Sequence, residues 1–315
     1  MSTIISVIMS TYNEEIDWVR LSVESIINQT YKDIEFIIVL DNPDNYQLKE
    51  LLQKYEREDK RIKLVLNKKN MGLVSSLNIA LQHCTGRYIA RMDADDISIQ
   101  SRLELEKEYL EKHNLDFVFA GVEIIDEQGN RLYQENDREL NSNNSRKLLE
   151  KGCISKHPTW FLKKEIYDNL KGYRDVPYSE DYDFLLRCLS KDYKIGKMSE
   201  ILLLYRIRST SISRSFGLEQ YLNTRCLLHL YRKEKLDDYS LLSNMTKKSR
   251  ELCGIKEIQK FNLADHKFNA ALTYFKNKRI FKGSFEFMRS MFTSRYFSMK
   301  ISDTIRFKVS EKIIK

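Results

Sequence analysis

Three carboxylates fall within four residues at Asp93-Ala94-Asp95-Asp96, directly after the largely apolar run Tyr88-Ile89-Ala90-Arg91-Met92. Crowded carboxylates repel one another and are costly to desolvate. Hard divalent cations take oxygen ligands, and Mg²⁺ or Mn²⁺ is commonly shared between one or two carboxylates and a substrate phosphate. An Asp-x-Asp at the carboxyl end of a strand therefore points to a metal-bound diphosphate. The same residues also suit a solvated acidic turn or a helix N-terminus. Taken alone, the spacing leaves both readings open.

Other clusters carry chemistry of their own. Thr11-Tyr12-Asn13-Glu14 and Asp41-Asn42-Pro43-Asp44 each follow an apolar run. Asn70-Met71-Gly72-Leu73 reads as a tight turn in which Gly72 takes positive φ. Ser179-Glu180-Asp181, with Asp183 beyond, is a good helix start and equally a place for a catalytic carboxylate. Tyr205-Arg206-Ile207-Arg208, continuing through Ser209–Ser213 to Arg214, brings three arginines together. His157 is either a substrate contact or a packed residue.

Regular elements must position these groups. Apolar runs predict strands over 4–10, 36–40, 62–66 and 87–92, and helical spacing predicts helices over 16–29, 46–58 and 73–83. Strands alternating with helices imply a mostly parallel sheet covered on both faces. In such sheets ligands sit beyond the carboxyl ends of the strands. The clusters at Thr11–Glu14, Asp41–Asp44 and Asp93–Asp96 all fall there. Further on, the pattern predicts a helix over 102–113, a strand over 117–122 and a turn at 128–130. A polar loop over 135–144 and a strand over 157–162 come next. Helices follow from Lys164 and over 181–191, and mostly helices from 217 onward. Asp96 suits a cap on the helix after it, and Arg102 a structural partner to the acids.

The 315 residues can bury a substantial core in one large or two modest domains. The hydrophobic share of 42% and charged share of 31% exclude a disordered chain. The five cysteines are scattered, with no Cys-x-x-Cys spacing, which favours reduced thiols over a disulfide framework or a zinc site. No run is long enough to cross a bilayer. The N-terminus lacks a secretory pattern, so a cytoplasmic location is expected. The net charge of +8 is uneven: residues 217–315 hold 21 Lys/Arg against 10 Asp/Glu.

Together these landmarks resemble the inverting family 2 glycosyltransferases of the GT-A fold, especially bacterial enzymes of capsular polysaccharide or O-antigen assembly. The resemblance spans about residues 4–215. It implies an α/β GT-A domain over 1–215 and a basic helical region over 216–315. By resemblance, Val7–Asn13 is the first nucleotide-binding loop, making Thr11, Tyr12 and Glu14 donor contacts. Asp41 matches the acid that hydrogen-bonds uracil, although Leu40 stands where the family often has a preceding acid. Asn70 and Gly72 match the family's Asn-x-Gly turn. Asp95 is implied as the firmer metal ligand, with Asp93 reaching the metal or the ribose. Asp181 is implied as the catalytic base, because an inverting transfer needs a carboxylate to deprotonate the acceptor hydroxyl. Arg206 and Arg208 are implied to neutralise the diphosphate, Arg208 standing where many relatives carry His.

The resemblance implies Mn²⁺ or Mg²⁺ as cofactor and a nucleotide-sugar donor, a UDP-hexose foremost. It implies a saccharide acceptor linked to a polyprenyl diphosphate. Nucleic acid is not an expected partner. A nucleotidyltransferase is the rival enzyme, but Ser10–Asn13 lacks the Gly-rich phosphate loop expected of one. A non-catalytic nucleotide-sugar-binding subunit is the other alternative. In the basic third, Phe281, Phe285, Met288, Phe292 and Tyr296 recur at helical spacing beside Lys282, Arg289 and Arg295. That stripe either packs on the catalytic domain or rests as a basic amphipathic surface on the inner leaflet, making the protein peripheral.

Overall fold

The computed structural model describes residues 4–135, 138–208 and 216–314. Ser209–Ser213 and Arg214 lie outside the described residues. The chain divides into two compact units, one of Met1–Leu149, Cys153–Asp175 and Glu180–Ser211, the other of Glu150–Gly152, Val176–Ser179 and Ile212–Lys315.

The first unit opens with β1 (Ile5–Thr11), α1 (Ile16–Ile27), β2 (Ile34–Leu40), α2 (Tyr46–Glu58), β3 (Ile62–Leu66), α3 (Leu73–Gln82) and β4 (Tyr88–Asp93). These follow the predicted alternation closely. β1, β2 and β4 are near-continuous buried apolar runs, as parallel strands covered on both faces must be. Ile5, Val7 and Met9 of β1 share a core with Val19 and Val23 of α1 and Leu48 and Leu52 of α2. Ile8, on the alternate face, is equally buried, and α3 lies against β1 and β2.

Register aligns the strand ends. β1 pairs in parallel with both β2 and β4, placing Thr11 opposite Leu40 and Ser10 opposite Asp93. β2 pairs in parallel with β3, placing Leu40 opposite Leu66. The residues just past these strands, Asp41, Asn67 and the Asp93–Asp96 turn, therefore share one rim.

The remaining elements are β5 (Ile97–Ser98), α4 (Arg102–Lys112), β6 (Phe117–Ile125), β7 (Arg131–Glu135), α5 (Ser142–Leu149), β8 (Phe161–Lys163), α6 (Lys164–Leu170), α7 (Glu180–Ser190) and β9 (Ile195–Arg206). The sheet order is β3-β2-β1-β4-β8-β6-β9-β5, with β7 paired to β6. Several expectations need correction here. The run 157–162 is not one strand: Pro158 sits in a 3₁₀ turn, His157–Thr159, and only then does β8 begin. The supposed polar loop 135–144 is entered by β7 and left through α5. Tyr205 and Arg206, given no strand by the sequence, end β9. Asp96 does not cap a helix, because Ile97 and Ser98 pair antiparallel with Leu204 and Leu203.

The second unit consists of α8 (Gly217–Arg232), α9 (Tyr239–Leu252), α10 (Ile255–Lys276), α11 (Ile280–Thr293) and α12 (Arg295–Ile313). Its core joins Leu218, Leu222, Phe261, Ala264, Tyr296, Phe297 and Ile301. Of the aromatic stripe, Tyr296 is buried in this unit's own core, whereas the other four side chains stand open. Phe281 is 94% exposed and Phe292 87%, with Phe285 and Met288 also open. Among the described residues no helix is long and apolar enough to cross a membrane.

Candidate active site

The acidic turn is held from behind by α1. Ser22 Oγ donates to the Asp93 carbonyl (2.9 Å), and Ser25 Oγ accepts from the Ser98 amide (3.0 Å). The buried Gln29 amide donates to the Ile99 carbonyl (2.8 Å) and accepts from the Leu103 amide (3.0 Å). Polar groups on a buried helix face need such partners, and these fix the backbone that carries the acids. Sequence reading missed all three, because their partners lie about 70 residues away.

Two arginines close the turn from the far strands. β5–β9 pairing sets Arg206 beside Asp96, and the Arg206 amide donates to Asp96 Oδ1 (2.8 Å). Its guanidinium donates to the carbonyls of Asp95, Asp126 and Glu127 and lies 5.1 Å from the centre of the Trp18 ring. Expected as a diphosphate contact, Arg206 is buried and clamps backbone. Arg208 instead reaches Asp95 Oδ2 at 2.9 Å and supplies the positive charge a metal would bring. Trp18 of α1 lies under both arginines.

Asp93, Asp95 and Asp96 each present an oxygen, all within 4.8 Å of one another. Burial, then the neighbouring Asp93, pushes the Asp95 carboxyl up to about 6. Burial, then Asp95, raises Asp96 well above the usual carboxylate range. Asp96 Oδ2 is buried without a hydrogen-bond partner among the described residues. An all-oxygen donor set with an orphaned buried oxygen and mutual repulsion fits Mg²⁺ or Mn²⁺. Asp96 thus joins the two acids expected from sequence. Fully buried Arg91, overlooked in the sequence, faces Asp93 Oδ1 at 2.5 Å and orients it. Arg102, expected to partner these acids, pairs instead with buried Glu106 (2.9 Å) and donates to the Arg91 carbonyl.

Along the rim, Thr11 Oγ1 and the Tyr12 amide both donate to Glu14 Oε2 at 2.7 Å, and Tyr12 is 41% exposed. Buried Asp41 accepts from the Asn67 side chain (2.6 Å) and from the amides of Met71 and Gly72 (both 2.8 Å). Asn70 Oδ1 accepts from the Gly72 amide at 3.0 Å. Gly72 has φ +81°, where a Cβ would be strained although nothing crowds it. Asp41 is therefore at least the organiser of the Asn70–Gly72 turn, with Asn67 an unforeseen partner.

Glu180 and Asp181 open α7 in the same unit. Burial, then Asp181, raises Glu180 to about 8, and burial raises Asp181 to about 6, with Asp93 close enough to add to it. Asp181 Oδ1 accepts from the Tyr182 amide at 2.6 Å. Both carboxyls are pushed toward the neutral form, Glu180 more strongly than Asp181. Asp183 is fully buried between Arg174 and Arg187 and is structural. His157 is packed: its Nε2 bonds the Tyr173 hydroxyl (2.7 Å) and its ring meets Trp160 edge-on. Burial drives its pKa well below the ordinary histidine value.

Residues 6–171 match the family described as Glycosyl transferase family 2. The chain belongs to that family. This glycosyltransferase is 37% identical over 251 residues to an uncharacterised glycosyltransferase of Methanocaldococcus jannaschii, covering 79% of this chain and 82% of that one. It is 34% identical over 248 residues to the O-antigen biosynthesis glycosyltransferase WbnJ of Escherichia coli, covering 71% and 94%. Among solved structures it resembles S. aureus TarS 1–349 in complex with UDP-GlcNAc, with TM-score 0.57, 19% identity and 89% of each chain covered. The mannosyltransferase PcManGT of Pyrobaculum calidifontis, in complex with GDP-Man and Mn²⁺, gives TM-score 0.57 at 16% identity, covering 90% of this chain and 84% of that one. Both likenesses support the GT-A fold. Family membership sets aside the nucleotidyltransferase alternative.

Proposed function

We propose that this glycosyltransferase moves a hexose from a nucleotide sugar, UDP-linked foremost, to a saccharide acceptor with inversion, in surface polysaccharide synthesis. The observation that carries the reading is the three-acid turn on the rim with Asp181 in electrostatic reach of Asp93. The acceptor oxygen bonds to the anomeric carbon from the face opposite the diphosphate. As that bond forms, the carbon–oxygen bond to the diphosphate breaks and its electron pair leaves with the nucleotide. Asp181 takes the acceptor's hydroxyl proton. Glu180 beside it is pushed toward its neutral form by burial and by Asp181, which favours a single negative charge near that oxygen. Asp93, Asp95 and Asp96 would hold a divalent cation, which supplies charge neutralisation to the departing diphosphate. Arg208, released from Asp95, turns its charge to the same oxygens. Thr11, Tyr12, Glu14, Asp41, Asn70 and Gly72 form the wall for base and ribose.

The solved relatives hold UDP-GlcNAc in one case and GDP-Man with Mn²⁺ in the other, so both nucleotides belong in the test. The exposed ridge Phe281, Phe285, Met288 and Phe292, edged by Lys282 and Arg289, supports a lipid-linked acceptor met at an anionic membrane surface. The deciding experiment is calorimetric titration with UDP and with GDP, with and without Mn²⁺. Binding of UDP that needs Mn²⁺ and disappears in Asp95→Ala is the expected result. No binding of either nucleotide, with metal present, would sink the proposal.

A further inference from the structure

The second unit contains a cavity that the sugar-transfer chemistry does not use. It lies between α8 and α12 and has a volume of about 480 Å³, within the range of small-molecule sites. Helical periodicity builds it. Tyr221, Thr224, Arg225, Leu228 and Arg232 recur along one face of α8, and Asp303, Arg306, Phe307 and Ser310 along one face of α12. A third piece, Glu150–Gly152, closes one end. Gly152 comes so near the Phe307 ring that a Cβ would stand 3.2 Å from it, and this approach puts Lys151 Nζ 3.0 Å from Ser310 Oγ.

The lining is out of charge balance. Lys151, Arg225, Arg232 and Arg306 are basic side chains, while Asp303 is the lining's single carboxylate. Asp303 Oδ2 already accepts from Arg225 and from the Tyr221 hydroxyl, both at 2.8 Å, and Arg306 stands 3.9 Å from Oδ1. Arg232 makes a long bond, 3.4 Å, to the Glu150 carbonyl. A cluster that merely tied two helices together would match arginines with carboxylates. Here forked guanidinium donors and hydroxyls surround an opening whose wall also offers Leu228 and Phe307.

We infer that this cavity is a binding site for a phosphate- or diphosphate-bearing ligand, the apolar wall receiving the organic part. Guanidinium groups bind phosphate oxygens in pairs, and the surplus positive charge favours a doubly charged group over a carboxylate. Two sources share that chemistry: the headgroup of an anionic lipid and a soluble phosphate ester.

The test is calorimetric titration of the full chain with inorganic pyrophosphate in EDTA, where the acidic turn of the first unit repels the anion. Wild type should bind, and Arg225→Gln/Arg306→Gln should bind about tenfold more weakly or worse, with Mn²⁺-dependent UDP binding unchanged. Asp303→Asn should shift affinity the opposite way, which guards against a trivial folding defect in the double variant. A flat wild-type isotherm, or equal isotherms for wild type and both variants, would overturn the site. Phosphatidylcholine vesicles with and without phosphatidylglycerol separate the sources. Sedimentation with anionic vesicles that drops in the double variant assigns a lipid headgroup. Sedimentation that stays equal while pyrophosphate binding falls assigns a soluble ester.

Discussion

In the first unit, carboxylates crowd into a largely buried rim, and single arginines hold them, Arg91 from the same strand as Asp93 and Arg208 from far along the chain. In the second, arginines line an open cavity along two helical faces and share one carboxylate. The first arrangement carries an electrostatic cost of burial that a cation at the turn would relieve. The second lies in water, where screening weakens each pair and the charge excess itself becomes the recognition element. Apolar surface follows the same division. β1 and β2 hide theirs on both faces, whereas α11 displays Phe281 and Phe292 to solvent.

That contrast can be tested, beginning with the largest effect. Asp181→Asn should lower kcat by about 10³-fold while UDP affinity stays within twofold, read by steady-state transfer and calorimetry. Unchanged turnover would remove the base from the rim. Arg102→Met should destabilise the fold by about 3 kcal/mol, because Glu106 is then left buried without its partner. Burial already raises Glu106 to about 7, so its protonated form fits the fold better. The loss should therefore be larger at pH 8 than at pH 6 in urea unfolding.

The acids of α7 give a pH signature. Their folded pKa values lie above the ordinary carboxylate values, so the stability they contribute is fully present below about pH 4. It is lost as pH rises through about 6 for Asp181 and about 8 for Glu180. The thermal midpoint of metal-free protein should fall over that window, and Glu180→Gln should flatten the part above pH 7. Gly72→Ala should cost about 1 kcal/mol through its positive φ and weaken nucleotide binding with it. Phe285→Ser/Phe292→Ser should change stability by less than about 0.5 kcal/mol, since both side chains are exposed, yet reduce binding to anionic vesicles.

What could be read from sequence follows the range of the interactions. α2 was legible to the residue because Asn45 caps it locally and its apolar spacing is self-contained. The alternation of β1 to β4 was legible because continuous apolar runs permit few other folds. β9 was missed: it mixes polar and apolar residues, carries a register shift against β6, and is defined by partners far upstream. The same distance explains the site. Asp93 and Asp95 draw notice by type and spacing, and Asp181 by the family resemblance. Gln29 and Asn67 act through partners that only folding supplies, and Arg206 changes from an expected ligand contact to a clamp because its strand was not foreseen.

The contact between Arg208 and Asp95 bears on the enzyme's resting life. A carboxylate that already holds one cation can exchange it for another without ever standing bare. In the proposed reaction the guanidinium would let go before a metal settled, so loading would be a competition whose apparent affinity is set by the difference between two attractions. When the products leave, the same arm is at hand to return. The acidic turn is then spared the repulsion that would otherwise push it apart between turnovers.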